Sequence, residues 1–136
     1  MLLKIENEMI DEMEDISKRF LNASSMESPG PYIAAMFQYV SDNLTFCTML
    51  LGPNGDMAFL EKLKKLIEEK CFHSLKGAYS ENEYQNYQYF MTYAVSGCIG
   101  LLQTWLNNGM KVSPQELSRV AVGMIQNGYQ FLKNEN

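Results

Sequence analysis

The chain has 136 residues, a net charge of −5 and a sequence pI near 4.8, and hydrophobic residues make up 46% of it. This length and hydrophobic content fit one globular domain with its own core and exclude a disordered chain. An acidic chain without a basic stripe is repelled by phosphate, so direct contact of this segment with nucleic acid is not expected. Every apolar run is shorter than the roughly 20 residues that span a bilayer, and the acidic start does not resemble a secretion signal. We therefore predict a cytoplasmic protein without a membrane partner.

The cysteines at positions 47, 71 and 98 are widely separated, and His73 is the only histidine. Structural zinc usually takes four closely paired Cys or His ligands, so no metal site is predicted. In a reducing compartment, Cys47, Cys71 and Cys98 are expected to act as small buried hydrophobes. Redox sensing would need access to the thiol and a nearby positive charge.

The first predicted helix covers residues 2–22. Apolar residues recur there every three or four positions, which places them on one helical face: Leu2, Ile5, Met9, Met13, Ile16 and Phe20. Acidic residues cover the remaining surface. From Ala23 a loop rich in serine, proline and glycine follows, and Pro31 suits the first turn of a second helix over residues 31–51. Asn43 marks either a bend or a break in that helix.

A turn at residues 52–55 precedes a third helix over residues 57–76, for which Asp56 is a suitable N-cap. After a loop at residues 77–82, the fourth helix covers residues 83–108. From Phe90 to Leu106 it reads FMTYAVSGCIGLLQTWL, without a charged residue. Because a helix that is apolar all round must be covered on all sides, one side is predicted to meet another chain.

The fifth helix covers residues 114–133. Gly109 is expected to stop the fourth helix, and Ser113, Pro114 and Glu116 to restart the chain as N-cap, first-turn proline and capping-box carboxylate. Trp105 is expected to plug the helix end and to find a partner for its indole N–H. The fold class predicted is all-α, a bundle of five helices.

Two segments resemble the C-terminal domain of TetR-family transcriptional regulators of the type common in Firmicutes. One is MFQYVSDNLTFCTMLLGPNGDMAFLEKL (36–63), with an aromatic-rich helix, a leucine-glycine turn and a Phe-Leu pair; the other is WLNNGMKVSPQEL (105–117), similar to the junction of the family's last two helices. The resemblance implies a homodimer built by the last two helices of each subunit. It also implies that DNA is contacted only through a helix-turn-helix head, which is absent from this chain. In the family, a Leu-Leu pair opens the helix that follows this head, and here Leu2 and Leu3 follow Met1 directly.

Carried onto this sequence, the dimer resemblance implies an interface of small and apolar residues: Ala94, Gly97, Gly100, Leu101, Thr104, Leu117, Val120, Ala121, Met124 and Gly128. The alternative is that these residues form one subunit's core. The family also implies a pocket for a small apolar or amphipathic effector, for which flexible Met and aromatic residues are suitable: Met36, Tyr39, Phe46, Tyr87, Phe90 and Met91. These six are otherwise ordinary core residues.

An enzyme is not predicted, because the sequence has no recognisable nucleophile–histidine motif, phosphate-binding glycine loop or ExxH pair. No cofactor is predicted either. The alternative function is a stand-alone helical adaptor that binds a partner helix. A native start at Met1, with no upstream helix-turn-helix, would favour that adaptor.

Overall fold

The computed structural model describes residues 2–22, 24–53, 55–75 and 77–134. All the regular secondary structure in this part of the chain is helical, with no strand, which confirms the all-α class. Its α-helices are α1 (Leu2–Phe20), α2 (Gly30–Asp42), α3 (Leu44–Leu51), α4 (Met57–Ser74), α5 (Tyr84–Asn107) and α6 (Pro114–Asn134), with a 3₁₀ turn at Glu81–Glu83. Met1, Ala23, Asn54 and Lys76, which the sequence analysis placed at the start, in two loops and at a helix end, lie outside the described residues.

The second predicted helix is two helices, so the described residues form six α-helices and not five. The break is at Asn43, whose side-chain amide donates to the carbonyl of Tyr39 at 2.9 Å. That carbonyl is the ordinary helical acceptor for the Asn43 backbone N–H, which donates instead to Val40 at 3.2 Å. An asparagine side chain that competes for a backbone carbonyl ends the regular helix, and α3 begins at Leu44 in a new direction.

Local capping sets several other helix ends as predicted. The Asp56 carboxylate accepts the backbone N–H groups of Ala58 at 2.9 Å and Phe59 at 3.2 Å, satisfying two free donors at the start of α4. Gly109 follows α5 with a φ of 86°, a conformation that glycine adopts without strain. The Ser113 hydroxyl accepts the Glu116 N–H at 3.1 Å at the start of α6, as the N-cap prediction requires. The Glu116 carboxylate, which was predicted to complete a capping box, accepts instead from the Arg119 guanidinium at 2.7 and 2.9 Å.

Helix α2 packs against α1 and α6, and α5 packs against α4 and α6, so α2, α4, α5 and α6 surround the centre. The α1 residues Met9, Met13 and Ile16 are buried, as the periodicity predicts. Trp105 is buried at the end of α5 and donates its indole N–H to the Val112 carbonyl at 2.8 Å, confirming the expectation for this residue. None of the described helices has the length and apolar character needed to cross a membrane.

Candidate functional site

A cavity of about 80 Å³ lies between α2, α4, α5 and α6. The residues preceding α2 contribute Met26 and Pro29 to its wall. The remaining lining consists of apolar, aromatic and thiol side chains from the four helices: Tyr32, Ile33, Met36, Phe37, Ile67, Cys71, Met91, Ala94, Val95, Cys98, Ile99, Leu102 and Ile125. The described residues of the wall include no formally charged one, so the wall fits the apolar part of a ligand.

The strongest hydrogen-bonding group in this wall is the hydroxyl of Tyr32. It lies 3.1 Å from the Ser17 hydroxyl, which itself donates to the Met13 carbonyl at 2.9 Å. Because the single Ser17 proton is used in that bond, Tyr32 donates to Ser17. Burial is the main cause that raises the pKa of Tyr32, so the phenol stays neutral at physiological pH.

The thiols of Cys71 and Cys98 also line the cavity. Burial raises the pKa of Cys71 to about 12 and that of Cys98 to about 11. Since the thiolate is the nucleophile, these protonated thiols are weakly reactive, which agrees with their expected role as small hydrophobes. Cys47 and Cys71 are buried as expected, whereas Cys98 is only partly buried.

The six residues predicted to bind an effector do not all lie at this cavity. Met36 and Met91 line it from α2 and α5. Tyr39 and Phe46 are partly buried on α2 and α3 and are not among the lining residues. Burial raises the pKa of Tyr39 to about 12.

Tyr87 and Phe90 pack mainly against other aromatic rings. Tyr87 stacks on Tyr79 with ring centroids 5.2 Å apart and meets Tyr129 edge-on at 6.2 Å. The Phe90 ring lies 6.1 Å from that of Tyr129. Neither residue is in the cavity wall, and a role in effector binding stays a prediction for all six.

Sequence reasoning missed most of the wall, including Tyr32, Cys71 and Val95. Helical periodicity shows that these residues face inwards, but it does not show how four helices are rotated relative to one another. One available signal was a tyrosine on the apolar face of a helix, since a buried phenol requires a polar partner. The serine that satisfies it is on another helix, 15 positions away.

A second hollow, of about 350 Å³, lies on the outer side of α5 and α6. We call it the outer groove. It is lined by Phe90, Thr92, Tyr93, Ala94, Ser96, Gly97, Cys98, Leu101, Ala121, Met124 and Ile125. Ala94, Cys98 and Ile125 line both the cavity and the outer groove, so they form a wall one side chain thick between them.

The ten residues predicted at a dimer interface fall into three groups. In the isolated chain Gly97, Thr104, Val120 and Met124 are exposed. Gly100, Leu101 and Gly128 are partly buried, and Ala94, Leu117 and Ala121 are buried in the chain's own core. A Cβ added at Gly128 would lie 3.1 Å from the Phe90 ring, so that glycine allows α6 to approach α5 within one subunit.

A family model described as "Transcriptional regulator C-terminal region", of the TetR type, matches residues 27–127. The match spans both segments on which the resemblance rests, 36–63 and 105–117, and confirms it. No curated protein and no solved structure is significantly similar to the chain.

Proposed function

Because the chain belongs to the TetR-type family of transcriptional regulator C-terminal regions, we propose that it is the pairing and effector-binding part of such a regulator. Two copies pair through α5 and α6, and a small effector binds in the cavity between α2, α4, α5 and α6. The net charge of −5 argues against contact of this chain itself with DNA, because phosphate repels it.

The pairing surface is supported by apolar residues that water covers in the single chain. Tyr93 is 75% exposed, Phe131 64% and Met124 50%. Large exposed apolar side chains that lie together are typical of a protein contact. A twin subunit that covers α5 and α6 would bury all three.

Two glycines in the middle of α5 support the same surface. A Cβ added at Gly97 or Gly100 would have no neighbour within 4 Å in the chain. A mid-helix glycine destabilises a helix by about 1 kcal/mol relative to alanine, and here no close contact within the subunit requires it. Close approach of a helix from a second subunit would account for both residues.

The cavity as it stands is too small for a typical effector. Small-molecule sites usually measure about 300–1,000 Å³, whereas this cavity measures about 80 Å³. An effector must therefore displace part of the wall. Met26, Met36 and Met91 are the most easily moved parts of it, because a thioether side chain is unbranched and has several rotatable bonds.

The observation that carries the proposal is the wall formed by Ala94, Cys98 and Ile125, which borders the cavity on one side and the outer groove on the other. An effector that moves this wall from inside changes the surface on which the twin packs. Binding and pairing are then coupled to the extent that the effector fits one arrangement of the wall better than the other.

We test the pairing surface with Met124→Glu, which adds a charge at the outer groove. The matched control is Gln130→Glu, an exposed position on α6 that lies about 120° around the helix from Met124. Sedimentation velocity should show a dimer for the unchanged chain and for Gln130→Glu, and a monomer for Met124→Glu. If the unchanged chain and both variants are all monomeric, the proposed pairing surface is wrong and the helical adaptor is favoured.

The cavity is tested with 1-octanol, a neutral amphipathic probe, on protein labelled with ¹³C at the methionine methyl groups. The Met36 and Met91 signals should shift in proportion to occupancy, while that of Met57, which is 69% exposed and far from the lining, should not. Unchanged Met36 and Met91 signals at saturating octanol would refute the cavity as an effector site.

A further inference from the structure

A third hollow, of about 330 Å³, opens between α4 and α5. We call it the α4–α5 cleft. Its lining includes the carboxylates of Glu68 and Glu69, the rings of Phe72 and Tyr84, and the side chain of Met91. The described lining residues also include His73 but no lysine or arginine, so two carboxylates leave the formal charge of this cleft negative whether or not the histidine is protonated.

Met91 borders both the α4–α5 cleft and the central cavity. It is 2% exposed, so its side chain lies buried between them. A change of methionine rotamer would join the two hollows. The cleft alone, at about 330 Å³, has a volume in the range of about 300–1,000 Å³ that small-molecule sites typically have, and joining it to the cavity would add an enclosed apolar end.

The two hollows differ in chemistry. The cavity is walled by uncharged, mostly apolar side chains. In the cleft, the Phe72 and Tyr84 rings meet edge-on with centroids 5.2 Å apart, next to two carboxylates. Burial, together with the negative charge of Glu61, raises the pKa of Glu68 against the lowering effect of Lys64 and Lys65. Aromatic faces and a partly dehydrated carboxylate both attract organic cations.

We propose that the effector is an amphipathic organic cation that enters through the α4–α5 cleft past Met91. Its apolar end occupies the cavity, and its positive head stays in the cleft beside Glu68 and Glu69. This inference rests on the proposed function, because it takes the cavity to be the effector site. Apart from Thr92, which borders both hollows, it leaves the outer groove free for the twin subunit.

The probes are n-octyltrimethylammonium, octanoate and 1-octanol, which share one chain length and differ in head charge. Calorimetric titration of the 136-residue chain should give binding of the cation and of octanol, and none of octanoate. The double variant Glu68→Gln with Glu69→Gln should weaken the cation by about tenfold, since each partly exposed ion pair contributes up to about 1 kcal/mol. Octanol affinity should not change.

Asp11→Asn is the matched control, because it removes one carboxylate at an exposed position of α1, outside the cleft lining. Its cation affinity should equal that of the unchanged chain. The cation should also shift the methyl signals of Met36 and Met91, which would show that its alkyl chain has passed Met91 and entered the cavity. Met91→Leu, which keeps the volume but is branched and stiffer, should slow association of the cation in stopped-flow measurements.

The outcomes separate the two proposals. If octanol shifts the Met36 and Met91 signals but the cation does not bind, or binds equally well to the double glutamine variant, the cationic effector is refuted and the cavity remains. Binding of octanoate as tight as that of the cation also refutes it. If none of the probes reaches Met36 and Met91, the effector cavity itself is wrong.

Discussion

Helices α1 and α5 each bury one face in the same core, but their outer faces have opposite character. The exposed positions of α1 include Glu8, Asp11, Glu12 and Asp15. Those of α5 include Tyr89, Tyr93 and Gly97, and no charged residue. Water solvates the carboxylates of α1 well, whereas it solvates the tyrosine rings of α5 less well. Burial in one subunit therefore explains the sequence of α1 apart from the exposed Leu3, and that of α5 only in part.

The largest predicted effect is a loss of folding stability, and it should be similar for substitutions in the buried faces of α1 and α5. Met9→Ala in α1 and Ile99→Ala in α5 should each lower the free energy of unfolding by about 2–5 kcal/mol, because each removes buried methyl groups and leaves a cavity. Urea denaturation measures the change. Glu8→Ala, on the exposed face of α1, should stay within about 0.5 kcal/mol. A loss below that size for Ile99→Ala would mean that α5 is not anchored in the core as described.

The outer faces should respond differently to the same new charge. Tyr93→Lys places a lysine at the outer groove, and an interface residue of this kind typically contributes about 2 kcal/mol, so the dimer dissociation constant should rise about 30-fold. Glu8→Lys places a lysine on the solvated face of α1 and should leave dimerisation unchanged. Analytical ultracentrifugation over a concentration series distinguishes them. Equal behaviour of the two variants would remove the contrast between these faces.

Some helices could be predicted from local sequence alone, whereas other features of the fold could not. The periodicity and capping of α1, α4 and α6 are local, so the sequence is sufficient to predict them. The break after α2 depends on which acceptor the Asn43 amide finds, and an asparagine at that position fits either a bend or a break. The capping box at Ser80 and Glu83, where the Ser80 N–H donates to the Glu83 carboxylate at 2.8 Å, organises a turn that was predicted only as a loop.

The candidate site was less predictable because its wall depends on helix rotation. Met36 and Met91 were predicted and do line the cavity, while Tyr87 and Phe90 face Tyr129 of α6. Inward-facing positions on one helix can meet any of several neighbours, and the apolar pattern is the same in each case. The wall shared by the cavity and the outer groove appears only when α5 and α6 are in place.

A smaller effect should come from the thiols of the inner wall. Between the ordinary thiol pKa of about 9 and the raised values of about 11 for Cys98 and about 12 for Cys71, the unfolded chain has released protons that the folded chain still holds. Stability should therefore be complete below pH 9 and fall as the pH rises, by up to about 1.4 kcal/mol per pH unit for each thiol. Cys98→Ala should reduce this slope in urea denaturation at pH 8, 9 and 10. An unchanged slope would show that burial does not raise the pKa of Cys98 in the folded chain.

The smallest effect, about 1 kcal/mol, should change sign with pairing. In a monomeric background such as Met124→Glu, Gly97→Ala should stabilise the chain by that amount, because alanine is the better helix former and the space beside Gly97 is open. In the dimer the same methyl group should weaken association. Chemical denaturation measures the stability change in the monomeric background, and ultracentrifugation measures the change in association of the dimer. Tighter dimers with Gly97→Ala would exclude close helix contact at this position.

The most direct measurement of the central claim, that the outer face of α5 and α6 is covered by a second copy, is the solution mass by light scattering behind size exclusion. The chain should elute with twice its mass of 15.6 kDa and keep that mass on dilution through the micromolar range. A stable particle of 15.6 kDa at every concentration would contradict the claim, and the exposed rings of α5 would then require a different partner.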